Sequence, residues 1–211
     1  MEKGANVSAV GTDKDGTDSA PLWFAAALVC DGQAGAHELA TLLVEEGSDV
    51  NAFGAYGDGN VCTPLCWAAV AVHNSAAGAL ALAKLLVGKG ANVNTVGAFG
   101  DCSEGTPLWW AATAVRNGAA AGGGAGLELA TILVKQGADV NAVGTDMHGF
   151  EGTPLRRSAQ AVRGDRVGGA ELARLLHSAG ARLANSEQAE FQGIIDGVTG
   201  KRKICAPCFS G

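Results

Sequence analysis

The sequence predicts an all-α solenoid, made of stacked helix-loop-helix units joined by extended finger loops. Three observations predict it. Four of the five prolines, Pro21, Pro64, Pro107 and Pro154, are separated by 43, 43 and 47 residues. Tetrapeptides of one type (Gly-Ala-Asn-Val, Gly-Ser-Asp-Val, Gly-Ala-Asn-Val, Gly-Ala-Asp-Val, Gly-Ala-Arg-Leu) begin at Gly4, Gly47, Gly90, Gly137 and Gly180, spaced 43, 43, 47 and 43. Ahead of each of the last four stands an apolar triplet at i, i+3, i+4: Leu39/Leu42/Leu43, Leu82/Leu85/Leu86, Leu129/Ile132/Leu133 and Leu172/Leu175/Leu176. No unit can bury such a stripe alone, so a fixed period of this size marks a repeat array held together by stacking.

Each unit reads in the same order. Thr63-Pro64-Leu65, Thr106-Pro107-Leu108 and Thr153-Pro154-Leu155 place a hydroxyl at N-cap and a proline at N1, where its missing N–H costs nothing. The first unit has Ala20-Pro21-Leu22, and its helix start should be weaker by about 1 kcal/mol. Small pairs come next, at Ala25-Ala26, Ala68-Ala69, Ala111-Ala112 and Ser158-Ala159, allowing close approach of neighbouring helices. The apolar triplets then form the stripe of a second, amphipathic helix. Gly47, Gly90, Gly137 and Gly180 stand where a left-handed residue ends it. A short extended segment and a polar, Gly-rich finger lead to the next unit. Gly122–Gly126 reads as loop slack in the longest unit. Asn185 or Ser186 can cap a last helix through Ile195, with Phe191, Ile194 and Ile195 covering the fourth unit.

The pattern Thr-Pro-Leu-x-x-Ala-Ala, then Leu-x-x-Leu-Leu-x-x-x-Gly-Ala-Asp-Val-Asn-Ala, resembles the ankyrin repeat over residues 4 to about 183. Ankyrin repeats run about 33 residues, so each unit here carries about ten more. Set against the family pattern, about four of these lie in the finger and six between the helices. Trp23, Cys66, Trp109 and Arg156 stand where the family has His, and Phe24, Trp67 and Trp110 where it has a buried Leu. The resemblance implies an array over 1–183, with units starting near 20, 63, 106 and 153, then a capping helix and basic, Cys-containing tail over 184–211. Met1 opens on a bare finger, as a segment cut from a longer array would, or as a finger lying on the first unit as a short cap. The resemblance implies a non-catalytic protein-binding scaffold that works through its finger tips and concave first-helix face. Asn51 and Asn141 also lie in stretches similar to the ankyrin asparagine-hydroxylation consensus, although the same Asn shapes the finger turn.

Composition narrows the classes. The 32 Gly and 40 Ala among 211 residues invite a low-complexity reading, but 47% hydrophobic residues are too many for disorder. No apolar run is long enough to cross a membrane, so no membrane insertion is expected. The formal charge of −6 argues against nucleic acid as partner. Six irregularly spaced cysteines suggest the cytoplasm or another reducing intracellular compartment. The four histidines occupy unrelated places in the unit, and no nucleophile elbow or carboxylate pair occurs, so no catalytic site and no cofactor is expected. Cys205-x-x-Cys208 is the one motif with metal-ligand spacing, without the second pair a zinc site needs. Cys62, Cys66 and Cys102 could converge across neighbouring fingers.

Two columns stand out as candidate partner-binding residues. His73, Arg116 and Arg163 end successive first helices and would form a cationic row, a position the helix dipole favours in any case. The fingers carry the opposite sign: eight carboxylates, among them Asp58, Asp101 and Asp146, against Lys14 alone. Tyr56 and Phe99 hold equivalent finger positions, with Phe150 in the fourth finger. Aromatic and acidic residues interleaved on loops suit a protein partner with a basic segment. Arg156 and Arg157 replace the apolar pair of the last unit, as polar capping of the stack or as an anion-facing patch. A second reading is a structural subunit wedged in a larger assembly; a third is metal binding by the tail thiols.

Overall fold

Each proline of the series opens a helix. The computed structural model describes residues 6–12, 18–55, 59–118 and 122–200. In it the first helices are α1 (Pro21–Cys30), α3 (Pro64–His73), α5 (Pro107–Asn117) and α7 (Pro154–Arg163). The second helices are α2 (Ala36–Glu45), α4 (Ala79–Gly88), α6 (Gly122–Lys135) and α8 (Gly169–Ser178), and α9 (Asn185–Thr199) comes last. The caps form as the sequence requires. The hydroxyls of Thr63, Thr106 and Thr153 accept from the N–H of Cys66, Trp109 and Arg156 at 3.5, 3.3 and 3.2 Å. Ala20 supplies no such cap. Gly47, Gly90, Gly137 and Gly180 end the second helices at φ of 86, 86, 82 and 90°, a conformation that costs other residues strain.

The first helices pack closely on one another, α1 on α3, α3 on α5 and α5 on α7, while the second helices stand further apart. Ala25, Ala26, Ala68, Ala69, Ala111, Ala112, Ser158 and Ala159 are all fully buried at these crossings. Small residues on the first-helix row therefore bring neighbouring units closer there than on the leucine-bearing second-helix row. Leu82, Leu86, Leu129, Leu133, Leu172 and Leu176 are fully buried between units, each contributing about 1.5–3 kcal/mol. In the first unit Leu39 and Leu42 are instead 44% and 53% exposed, and Ala36, Ala40 and Val44 face the core, since among the described residues α2 packs chiefly on α1 and α4.

Two expectations change. The helix-loop-helix solenoid stands, but it is not purely all-α. The fingers are β-hairpins: β1 (Gly11–Thr12) with β2 (Asp18–Ser19), β3 (Gly54–Ala55) with β4 (Val61–Cys62), β5 (Gly97–Ala98) with β6 (Glu104–Gly105), and β7 (Gly144–Thr145) with β8 (Glu151–Gly152). All eight pair antiparallel in chain order into one ribbon. The two-residue strands carry too few side chains to show a period of two, so the sequence pattern left them as loops. Connections 31–35, 74–78 and 164–168 hold five residues each. Gly122–Gly126, expected as slack, opens α6. A Cβ at Gly126 would sit 2.8 Å from the Ala111 carbonyl oxygen and 2.9 Å from the Ala114 Cβ, so this glycine lets α6 approach α5.

α9 covers the fourth unit with Phe191 and Ile195 buried and Ile194 half-buried. Its N-cap is Ala184, one residue before the expected cap positions, and it runs on to Thr199. Glu187 compensates for the missing hydroxyl. Its buried carboxylate accepts from the Ala184 N–H at 2.8 Å and from the Thr153 N–H and hydroxyl at 3.2 and 3.1 Å, tying α9 to the start of α7. Asparagines link successive units. Asn51, Asn94 and Asn141 accept from the N–H of Asn92, Asp139 and Arg182 at 2.7, 2.7 and 2.8 Å, which gives Asn51 and Asn141 a structural role.

Candidate functional site

The residues just after each proline shape the first-helix face. Trp23 and Trp109 are fully buried and point into the finger bases, where their Nε1–H groups donate to the carbonyls of Cys62 (2.8 Å) and Gly152 (2.9 Å). A Cβ at Gly54 would lie 2.3 Å from Trp23, and one at Gly144 2.6 Å from Trp109, so the fingers close on these rings only through glycine. The next column, Trp67 and Trp110, lies almost buried on the same side, as expected of that position, while Phe24 is 42% exposed.

Phe99 is not a free finger aromatic. It is half-buried between the two indoles, with edge-to-face contacts at 5.3 Å to Trp67 and 5.4 Å to Trp110. Its finger is a tight turn in which the Cys102 N–H donates to the Phe99 carbonyl and Asp101 accepts from the Ser103 N–H. Asp101 itself remains exposed. His73 stacks at 5.6 Å from Trp110. Its Nδ1 and the Trp110 Nε1 are both buried, and neither has a hydrogen-bond partner among the described residues. Burial, then the charges of Arg116 and Arg157, lower the His73 pKa from 6.5, so the ring favours its neutral form.

These residues line a continuous groove. A cavity of about 480 Å³ lies between the end of α1 and the third finger, bordered by Asp31, Trp67, His73, Phe99, Asp101 and Trp110. A second, of about 290 Å³, shares His73, Asp101, Trp110 and Met147 with it and reaches Arg116 and Asn117. A third, of about 380 Å³, shares Arg116 and Asn117 and continues to Gln160, Arg163 and Arg166. The groove thus crosses all four units, with carboxylates at one end and guanidiniums at the other.

Arg157 requires a correction. It is 1% exposed and faces no partner. Its guanidinium lies 4.7 Å from the centroid of one Trp109 ring, donates to the Phe150 carbonyl at 3.2 Å and pairs with Asp146 at 3.3 Å. Asp146 is accordingly consumed as well: it also accepts from the N–H groups of His148 and Phe150, both at 3.1 Å. Burial alone would raise the Asp146 carboxyl, but these two N–H groups and Arg157 hold it below its ordinary value. Burial pushes the Arg157 pKa down to about 10, assisted by Arg116 and opposed by Asp146. Together they latch the fourth finger onto α7.

The remaining sequence candidates divide between groove, cap and finger tip. Phe150 is exposed at the tip of the fourth finger. Arg156 donates to the Glu151 carbonyl and lies over the ring of Phe191, so it caps the stack under α9. Arg116 and Arg163 line the groove, as does His73, while Arg163 also pairs with Glu190 at 2.8 Å. Tyr56, Asp58, Cys205 and Cys208 lie outside the described residues. Cys62 and Cys66 are buried and Cys102 is exposed; among the described residues no three His, Cys, Asp or Glu side chains could hold a metal ion. Burial raises the Cys62 and Cys66 thiols, and takes Cys30 to about 11, which leaves them protonated and unreactive. Sequence reasoning missed Asp31, Met147 and Arg166, which sit in connections rather than in the repeating columns.

Among the described residues no helix is long and apolar enough to cross a membrane. The ankyrin repeat family model matches residues 60–98 and 105–145, which hold the helix pairs α3 with α4 and α5 with α6 and the finger strands on either side of each pair. No curated protein matches the chain.

Proposed function

With residues 60–98 and 105–145 identified as ankyrin repeats, which generally serve as protein–protein interaction modules, we propose that this chain is a non-catalytic scaffold that holds an extended segment of another protein. The segment lies in the groove between first helices and fingers. The observation that carries this reading is the groove itself, unbroken across four units and lined by Trp67, Phe99 and Trp110. Asp31 and Asp101 at one end suit a basic residue whose stem lies along Trp67 and Phe99. Met147, 62% exposed on the rim, adds an adaptable apolar contact.

Selection of displayed random peptides on the full chain tests this. Selected peptides should carry a basic residue and lose affinity as salt rises from about 50 to about 500 mM. Binding should weaken on Met147→Lys, which adds a charge at an exposed site and leaves the core alone. Peptides that bind Met147→Lys as well as the parent, or that ignore salt, would refute the groove. A subunit wedged in a larger assembly would use broad flat faces, and nothing in the structure favours it over the groove.

A further inference from the structure

The far end of the groove is unlike the rest. Three arginines from two units line it: Arg116 from the last turn of α5, Arg163 from the last turn of α7, and Arg166 from the connection after it, with the Arg163 guanidinium held by α9, 4.7 Å from the Phe191 ring centroid and paired with Glu190. The amides of Asn117 and Gln160 complete the rim. Gln160 accepts from Arg157 through Oε1 at 3.4 Å, which leaves its NH₂ group to donate.

Helix dipoles account for Arg116 and Arg163, since cations are favoured at C-terminal turns. They do not account for Arg166. Its side chain crosses the unit boundary and lies over Gly118, where a Cβ would meet the Arg166 Cδ at 2.6 Å. Gly118, at φ 60°, is the residue that ends α5 directly after Arg116 and Asn117. A bare glycine in one unit thus makes room for an arginine of the next to reach the same depression. The charge there is also poorly compensated. Glu190 pairs with Arg163, while Arg116 and Arg166 have no carboxylate within ion-pair distance among the described residues, the neighbouring Asp165 included.

We propose that Arg116 and Arg166, in the depression they share with Arg163, form an oxyanion site that takes an acidic or phosphorylated side chain of the bound partner segment. This deepens the groove reading and rests on it for the peptide. Guanidinium forks match the oxygens of carboxylate and phosphate, and two of them with two amides supply more donors than one carboxylate can use. The groove then has a polarity: a basic residue of the segment at the Asp31 and Asp101 end, and an anionic one at the arginine end.

The site is tested first without any peptide. O-phosphoserine and, separately, succinate are titrated into the full chain while the arginine Nε–Hε resonances are followed by NMR. Saturable shifts at Arg116 and Arg166, absent in Arg116→Gln and Arg166→Gln proteins of unchanged circular dichroism, are expected. Each substitution should weaken binding about ten- to hundredfold. No saturable shift with either probe, or equal binding by the variants, overturns the proposal. Preference for O-phosphoserine assigns phosphate as the source, and equal response assigns any carboxylate. The peptides from the display selection supply the second arm, each with its acidic residue as found, phosphorylated at a serine, or replaced by glutamine. If they bind the groove independently of Arg116, Arg166 and their own charge, the anion site falls and the groove reading survives. If O-phosphoserine binds but no peptide is ever selected, the groove reading falls and the anion site stands as a small-anion site. A duplex nucleic acid that outcompetes O-phosphoserine would overturn the peptide assignment.

Discussion

Replacing Asp146 by asparagine should cost more than replacing Arg157 by methionine, although both break the same pair. Arg157 is 1% exposed, and only Asp146 among its contacts carries a compensating charge; Phe150, Gln160 and the Trp109 ring are neutral, and the Arg157 Nε has no partner among the described residues. The amide oxygen in Asp146→Asn would still accept from the His148 and Phe150 N–H groups, so the finger turn stays while the charge goes. A guanidinium is then left buried without its counter-ion, a change that costs about 3–5 kcal/mol in general. The 3.3 Å separation and the 15% exposure of the Asp146 side chain place this case near about 3 kcal/mol. Arg157→Met removes the buried charge itself, fills the space against Trp109, and leaves Asp146 with two backbone donors and some water. Its cost should be about 1 kcal/mol, mostly the lost cation–π contact. The double variant should resemble Arg157→Met alone, giving a coupling of about 2–3 kcal/mol. Urea unfolding at neutral pH, followed by both tryptophan fluorescence and circular dichroism, measures all four proteins. The reasoning fails if Arg157→Met is the costlier change or if the two costs add. Acid should act like Asp146→Asn: the carboxyl is held below its ordinary value, so the latch contributes fully above that value and is lost as pH falls through the lowered one.

Other consequences are equally open to measurement. Ala20→Thr should raise stability by about 1 kcal/mol, because Thr63, Thr106 and Thr153 show that a buried threonine fits this place and caps the helix; an unchanged or lower midpoint in urea counts against it. Gly54→Ala should destabilise by about 1–3 kcal/mol, since the new methyl would press into Trp23 at 2.3 Å, with Gly11→Ala as a neutral control in open space. Between the ordinary value of 6.5 and its lowered folded value, His73 should make stability fall as pH falls, because the unfolded chain binds the proton more readily. His73→Gln should flatten that slope in urea titrations run across the interval, and a slope that persists assigns it to other groups.

Much of the fold was legible because the repeat speaks four times. A single Thr-Pro-Leu is weak evidence for a helix start, but Thr63, Thr106 and Thr153 at matching places leave little else, and all three cap as the sequence requires. Gly47, Gly90, Gly137 and Gly180 were legible for the same reason. The hidden features lie between the repeated positions. The ribbon strands are two residues long, below any period that a side-chain pattern can show. Gly126 looked like slack because its reason, the approach of α6 to Ala111, is a contact and not a propensity. The candidate site divides along the same line. His73, Arg116 and Arg163 form a column by arithmetic and do line the groove. Asp146 and Arg157, eleven residues apart, satisfy each other, which charge counting cannot reveal. Arg166 belongs to no column, and only its passage over Gly118 brings it to Arg116.

The ribbon that joins the fingers is uneven along its length. Each hairpin is closed by two residue pairs, as in Gly54 with Cys62 and Ala55 with Val61, whereas adjacent hairpins meet through one, as in Asp18 with Ala55, Val61 with Ala98 and Glu104 with Thr145. Such a strip behaves like a row of slats on single hinges. Each slat is closed by two strand pairings and shares one with its neighbour among the described residues, supplemented between the second and third by the Gly100 N–H donating to Asn60. A segment entering from the side could therefore lift one finger at a time, where a uniform sheet would have to yield as a whole. The fourth slat, fastened by Asp146 and Arg157, would be the last to move.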